Sequence, residues 1–163
     1  DNEVLLGPEL RDLPRVGVVL GLPADLLDVE WFGLGPWENY SDRQASATVE
    51  IHRSTIDDLH VPYILPQENG HRGGVRTLTL RDGTGHGLRV NGRPELGFTA
   101  SRFGAADLYA ALHTVDLVPR DEVVLSLDHA QRGLGTASCG PDTLPRYRLL
   151  EDRYRFSYGL RVL

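Results

Sequence analysis

The sequence predicts an all-β, antiparallel sandwich with one short helix, on three observations. Short apolar and β-branched runs recur along the chain between turn-forming residues. The last ten residues alternate apolar and polar with near-ideal period two. Only one stretch carries helical spacing, so alternating βα units are not expected.

The elements follow in chain order. Val16, Val18 and Leu20 alternate as a half-buried strand, and Pro23 with the acidic residues after it ends that run. Val29, Trp31 and Phe32 form the next strand, with Trp31 expected in the core. Val75-Arg76-Thr77-Leu78-Thr79-Leu80 runs into Asp82-Gly83, a hairpin-turn dipeptide. Leu88-Arg89-Val90 leads to Asn91-Gly92, which predicts a second turn of the same kind. Residues 105–112 are rich in Ala and Leu, and Leu108, Ala111 and Leu112 share one helical face. Ser101 or a neighbour is expected to start that helix. Val123-Val124-Leu125-Ser126-Leu127 reads as a buried strand. In the last strand Tyr154, Phe156, Tyr158, Leu160 and Val162 face one side, with Arg155, Ser157, Gly159 and Arg161 on the other.

Composition narrows the function classes. At 163 residues the chain is sized for one domain, and no linker, repeat or low-complexity segment divides it. A formal charge of -6 argues against a nucleic-acid partner, which requires a basic face. The first sixty residues hold 12 acids and 4 Arg, whereas the remainder is weakly basic. All 17 basic residues are Arg, so lysine Schiff-base and phosphate-loop lysine chemistry are excluded. Because Met is absent, a processed chain or a piece of a longer polypeptide is expected. The lone Cys139 forbids an internal disulfide and fits a reducing compartment, so a cytoplasmic location is expected. No run reaches the eighteen apolar residues of a spanning helix, and no membrane partner is expected.

Several residues invite chemistry, each with a structural reading beside it. Glu38 and Asp42 lie in Trp37-Glu38-Asn39-Tyr40-Ser41-Asp42-Arg43, and Glu68 and Asn69 lie in Pro66-Gln67-Glu68-Asn69-Gly70. Paired acids serve sugar hydrolysis, but in polar loops they also pin backbone or pair with Arg43. The six histidines, at 52, 60, 71, 86, 113 and 129, show no metal-ligand spacing. Gly33-Leu34-Gly35-Pro36 and Gly133-Leu134-Gly135 lack the lysine and strand-to-helix setting of phosphate loops, so they mark unusual φ or close approach. Trp37 is either an exposed platform for a sugar face or a semi-buried loop anchor. Cys139 has no basic neighbour to activate it, so it reads as a loop residue lining a cavity.

Three segments carry a resemblance. Trp31-Phe32-Gly33-Leu34-Gly35-Pro36-Trp37-Glu38-Asn39-Tyr40-Ser41-Asp42-Arg43 resembles the W-x-G-x-G-P-x-E-N-Y-x-D-R signature of the large β-galactosidases of glycoside hydrolase family 2. Pro62-Tyr63-Ile64-Leu65-Pro66-Gln67-Glu68-Asn69-Gly70 with Arg72 resembles that family's P-Y-x-x-P-x-E-N-G-x-R. Arg132-Gly133-Leu134-Gly135 through Ser138-Cys139-Gly140-Pro141 resembles the late loop of the same domain. The resemblance spans about residues 15–163, with the three motifs in the family's order.

The resemblance implies the C-terminal half of a galactose mutarotase-like antiparallel supersandwich, the small-chain domain, with the chain starting inside that domain. It implies a parent enzyme that hydrolyses terminal β-D-galactosides with retention, both catalytic glutamates lying in a barrel domain that this chain packs against. Catalytic residues in this chain are therefore none, and Glu38, Asn39, Asp42, Arg43, Glu68 and Asn69 are motif residues with structural roles. The late loop, with Thr136, Ser138 and Cys139, is implied to shape the substrate pocket. In a bacterial member of the family that loop offers a tryptophan to the aglycone. Cys139 stands at that position once a one-residue gap is allowed, and a thiol cannot stack as an indole does. Magnesium and sodium of the parent are implied to belong to other domains, so no cofactor or metal is expected here. Three alternatives accompany this reading. They are a free-standing sugar-binding module, a structural module, and a mutarotase-like enzyme using His60 or His71 with Glu68. A homodimer of the isolated chain is expected from open sheet edges.

Overall fold

The computed structural model describes residues 1–136 and 139–163; Ala137 and Ser138 lie outside the described residues. Eight strands are present among them: β1 (Asn2–Leu5), β2 (Arg15–Pro23), β3 (Asp28–Gly35), β4 (Thr48–Thr55), β5 (Arg72–Arg81), β6 (Gly87–Ser101), β7 (Glu122–Gln131) and β8 (Arg153–Val162). Every pairing is antiparallel. The main order is β1-β8-β6-β5-β3-β4, and β2 joins through β7. The chain is an antiparallel β-sandwich architecture, as its patterning predicts.

β6 organises the sheet. Along one edge it pairs with β5; along the other, Leu88–Arg93 pair with β8 and Gly97–Ser101 with β7. Two wings, β1-β8 and β2-β7, thus branch from one strand, and the ring of His129 stacks on that of Phe156 at 5.3 Å where the wings meet. One apolar cluster joins all of this, including Trp31, Leu78, Leu80, Phe98, Leu125, Leu127, Tyr154 and Phe156.

The turn expected at Asp82-Gly83 is present, closed by Asp82 Oδ1 accepting from the Thr84 and His86 amides at 2.8 and 3.0 Å. The turn expected at Asn91-Gly92 is not a chain reversal. Between Asn91, opposite Thr77, and Leu96, opposite Val75, the intervening residues of β6 bulge away from β5, and the strand continues. Gly92 is required for another reason: a Cβ there would lie 2.8 Å from the Val75 carbonyl oxygen.

The helix expected over 105–112 is α2 (Ala105–Ala110), beginning at Gly104 rather than Ser101. Asp107 accepts from the Gly104 amide at 2.7 Å, while Ser101 Oγ accepts from Phe103 just upstream. The helix buries no residue of its own, so Tyr109 stands exposed. A second, single-turn helix, α1 (Ile56–Leu59), has no counterpart in the sequence reading; Thr55 caps it and it buries Ile56 and Leu59. Neither helix is long and apolar enough to cross a membrane.

Candidate functional site

The three motif segments come together at one end of the molecule, and the hydrogen bonds show how. Glu38, largely buried, accepts from the Arg43 guanidinium, the Tyr63 hydroxyl and, at 2.7 Å, the Gly70 amide. One carboxylate therefore ties the first motif to both ends of the second. The expectation that Glu38 or Asp42 pins Arg43 is met by Glu38. Asn39, fully buried, bridges the same segments: its backbone N–H donates to His71 at 2.7 Å and its Oδ1 accepts from Gly73 at 2.9 Å. Asn69 closes the second motif, accepting from the Val61 amide at 3.0 Å and donating to Gln67 at 2.9 Å. Arg72, buried, donates only to the carbonyls of Pro36, Leu59 and Gly70, and burial pushes its pKa down to about 10.

Asp42 reaches the late loop. Its Oδ1 accepts from the Leu134 amide at 3.0 Å and its Oδ2 from the Gly135 amide at 2.8 Å. Both glycines of Gly133-Leu134-Gly135 meet the expectation of tight approach and unusual φ. A Cβ on Gly133 would lie 2.7 Å from Asp42 Cγ, and Gly135 has φ +63°. The other flank of the loop is knotted by Arg132, which binds Asp12 at 2.8 and 2.9 Å, Asp142 at 3.1 Å and Thr143 Oγ1 at 2.6 Å. Arg148 adds a second contact to Asp142 at 2.9 Å.

That knot fixes a pH dependence. The Arg132 hydrogen bonds hold the Asp12 carboxyl below its ordinary value of 3.8, and the Thr143 amide, then Arg132, do the same for Asp142. Their contribution to stability is fully present above that value and is lost as pH falls through the lower folded values. The Thr143 amide, which donates to Asp142 at 2.7 Å, is expected to titrate by NMR with a midpoint below 3.8. A midpoint above it would remove the ion-paired account of the knot.

Between the motif loop and the late loop lies a cleft of about 530 Å³, lined by Asp42, Arg43, Thr136, Pro141, Arg146 and Tyr147 among others. Thr136 is exposed at its edge; Cys139 is exposed too but is not among the residues lining this cleft, contrary to the expectation that it lines a cavity. Thr136 shapes the loop, donating to the Pro141 carbonyl through its amide at 3.2 Å and its hydroxyl at 3.0 Å. Ser138 lies outside the described residues. Trp37 is 68% exposed, so the semi-buried anchor reading does not hold; Glu38 and Asn39 do the anchoring.

Glu68 is not paired with either candidate histidine. Its Oε2 lies 3.5 Å from Arg15, which also holds Asp128 at 3.0 and 2.5 Å. Burial raises the Glu68 pKa and Arg15 opposes that rise. His71 Nδ1 faces Asp128 at 3.5 Å, and His60 packs edge-on against Phe103. A second cleft, of about 320 Å³, opens beside Asn39, Tyr40, His71, Asp128, Gln131 and Leu149. Among the described residues no group of three or more His, Cys, Asp or Glu is arranged to hold a metal ion. Sequence reasoning gave no role to Arg15, Asp128, Arg132 or Arg148. The Arg15–Asp128 and Arg132–Asp12 pairs span more than a hundred residues, and no local pattern announces such pairs.

Sequence comparison with known proteins identifies the family. The family model described as "Beta galactosidase small chain" matches residues 2–160. The chain is 40% identical over 162 residues to a "Beta-galactosidase" of Alteromonas mediterranea, covering 95% of this chain and 15% of that protein. Similar figures hold for one from Vibrio cholerae, 40% over 161 residues, covering 98% and 15%. One from Arthrobacter sp. (strain B7) is 39% identical over 142 residues, covering 83% and 14%. The chain thus spans about 15% of the length of the curated relatives it matches. With nearly all of its residues inside the family model, the chain belongs to the β-galactosidase small-chain family.

Proposed function

We propose that this chain is the C-terminal domain of a retaining β-galactosidase, where it packs against the catalytic barrel and its late loop forms one wall of the substrate pocket. The observation that carries this reading is the convergence of both motif loops on the late loop through Asp42, with Thr136 and Pro141 of that loop lining a cleft beside Asp42 and Arg43. Retaining hydrolysis needs two carboxyl groups about 5 Å apart across the glycosidic bond. Glu38 and Glu68 are instead committed to holding backbone, Tyr63 and arginines. The chain's task is to shape and position, and turnover belongs to the full-length enzyme with carboxylates from its barrel.

Two measurements test the reading. The purified 163-residue chain is expected to show no hydrolysis of an aryl β-galactoside, and reproducible turnover would overturn its non-catalytic role. In the full-length enzyme, Cys139→Trp is expected to lower KM for lactose several-fold, since an indole supplies a face on which a sugar stacks. Unchanged lactose kinetics would remove the late loop from the pocket wall.

A second reading, an independent sugar-binding module, is favoured by the 68% exposure of Trp37. NMR titration of the isolated chain with galactose and lactose separates the two. Shifts clustered at Trp37 support independent binding, and a silent, well-dispersed spectrum supports a wall that needs the barrel to complete it.

A further inference from the structure

We infer that Asp42 is the positioning residue of the late loop, fixing the stem at Leu134 and Gly135 from which that loop enters the pocket wall. This deepens the pocket-wall reading and rests on it.

The loop's shape and its pose have separate causes. Shape comes from within: Thr136 closes on the Pro141 carbonyl through both amide and hydroxyl, and the Cys139 amide donates to Thr136 at 2.9 Å.

Pose comes from two attachments. On the far side the Arg132 knot grips Asp12, Asp142 and Thr143. On the near side the fold supplies Asp42, whose two carboxylate oxygens accept from consecutive amides, Leu134 and Gly135. Two converging N–H groups on one carboxylate form an oriented, charge-assisted clamp, which resists rotation in a way that a single hydrogen bond does not. The backbone is built for it. Gly133 leaves the space that Asp42 Cγ occupies, and Gly135 adopts φ +63° with room for a Cβ denied by the Thr143 amide at 2.6 Å. Asp42 is itself held, because it lies between Tyr40 and Arg43, whose backbones exchange hydrogen bonds at 3.2 and 2.8 Å, and Arg43 is bound to Glu38. The motif ending in Asp42-Arg43 therefore has two adjacent outputs: Arg43 locks the motif to the second segment, and Asp42 passes that rigidity to the late loop.

Asp42→Asn tests this. The amide keeps the side-chain shape but turns a donor toward one of the two N–H groups. In the 163-residue chain, hydrogen exchange at the Leu134 and Gly135 amides is expected to accelerate at least about tenfold, with core amides such as Leu125 unchanged. In the full-length enzyme, KM for lactose is expected to rise about fivefold. The KM for methyl β-galactoside, whose methyl group offers less aglycone surface than glucose, is expected to rise by a smaller factor. Should Asp42→Asn lose its dispersed spectrum, Asp42→Ser removes the carboxylate without an opposed donor and is read the same way. Unchanged exchange at the two amides overturns the positioning role, and so does an equal loss of kcat on every substrate, which marks a general loss of folded enzyme. Cys139→Trp separates the two readings. If it shifts lactose KM and Asp42→Asn does not, the wall stands and the positioning role falls; if neither does, both fall.

Discussion

Trp31→Ala is expected to destabilise the chain by about 4 kcal/mol, lowering Tm by about 10 °C in a domain of this size. Trp31 is 1% exposed and sits at the crossing of β3 with its neighbours. Its ring packs on His52 of β4 at 5.1 Å and edge-on to Phe98 of β6 at 5.6 Å, and its indole N–H donates to the Leu34 carbonyl at 3.0 Å. The Arg72 guanidinium lies 5.8 Å over the ring. Truncation therefore opens a cavity, orphans the Leu34 carbonyl and strips a buried cation of the ring beneath it. Chemical denaturation monitored by far-UV circular dichroism measures the loss. A change under about 1.5 kcal/mol would mean that this site collapses with little cost, contrary to its packing.

Asp128→Ala is expected to cost about 3 kcal/mol, because it leaves the partly buried Arg15 guanidinium without its two-pronged, buried partner. Asp128 is 2% exposed, and Glu68, at 3.5 Å, is too distant from Arg15 to take over both bonds. The fold makes way for this pair: a Cβ on Gly17 would lie 2.8 Å from Asp128 Oδ1, at the register shift between Val16 and Gly17. Charge removal and pair removal give different outcomes. Arg15→Met combined with Asp128→Leu is expected to recover much of the stability, since buried pairs gain little over apolar replacements of similar volume. Equal losses in the single and double variants would show that packing, rather than an abandoned charge, sets the penalty.

What could be read ahead of the structure follows from which forces are local. The alternation of residues 154–162 survives as β8 because neighbours in sequence decide which face each side chain takes, but its apolar face is packed only at Tyr154 and Phe156, and Leu160 and Val162 stand exposed. The glycines of residues 33–35 and 133–135 mark close approaches, since few other reasons justify such pairs. Asn91-Gly92 misleads because a dipeptide that favours a reversal also suits a bulge, and the choice rests with β5 and β8 on either side. β4 goes unannounced although Thr48, Val49, Ile51 and Thr55 are β-branched: it passes straight into α1 without an intervening turn residue. At the candidate site the motif residues are legible only as a set. That Glu38 holds Tyr63 and Gly70 while Asp42 holds the late loop depends on contacts spanning 25 to 93 residues.

The division of β6 between two partners has a kinetic consequence. The β5–β6 hairpin closes over the short turn at Asp82, so it pays the least loop entropy and forms early. β7 and β8 then bind separate stretches of the same edge, at Gly97–Ser101 and Leu88–Arg93, so neither blocks the other. The wings are therefore expected to assemble in either order on a shared template, giving refolding by parallel routes rather than by a single obligatory sequence. A lesion in one wing slows that route alone and leaves the other half of the molecule able to dock.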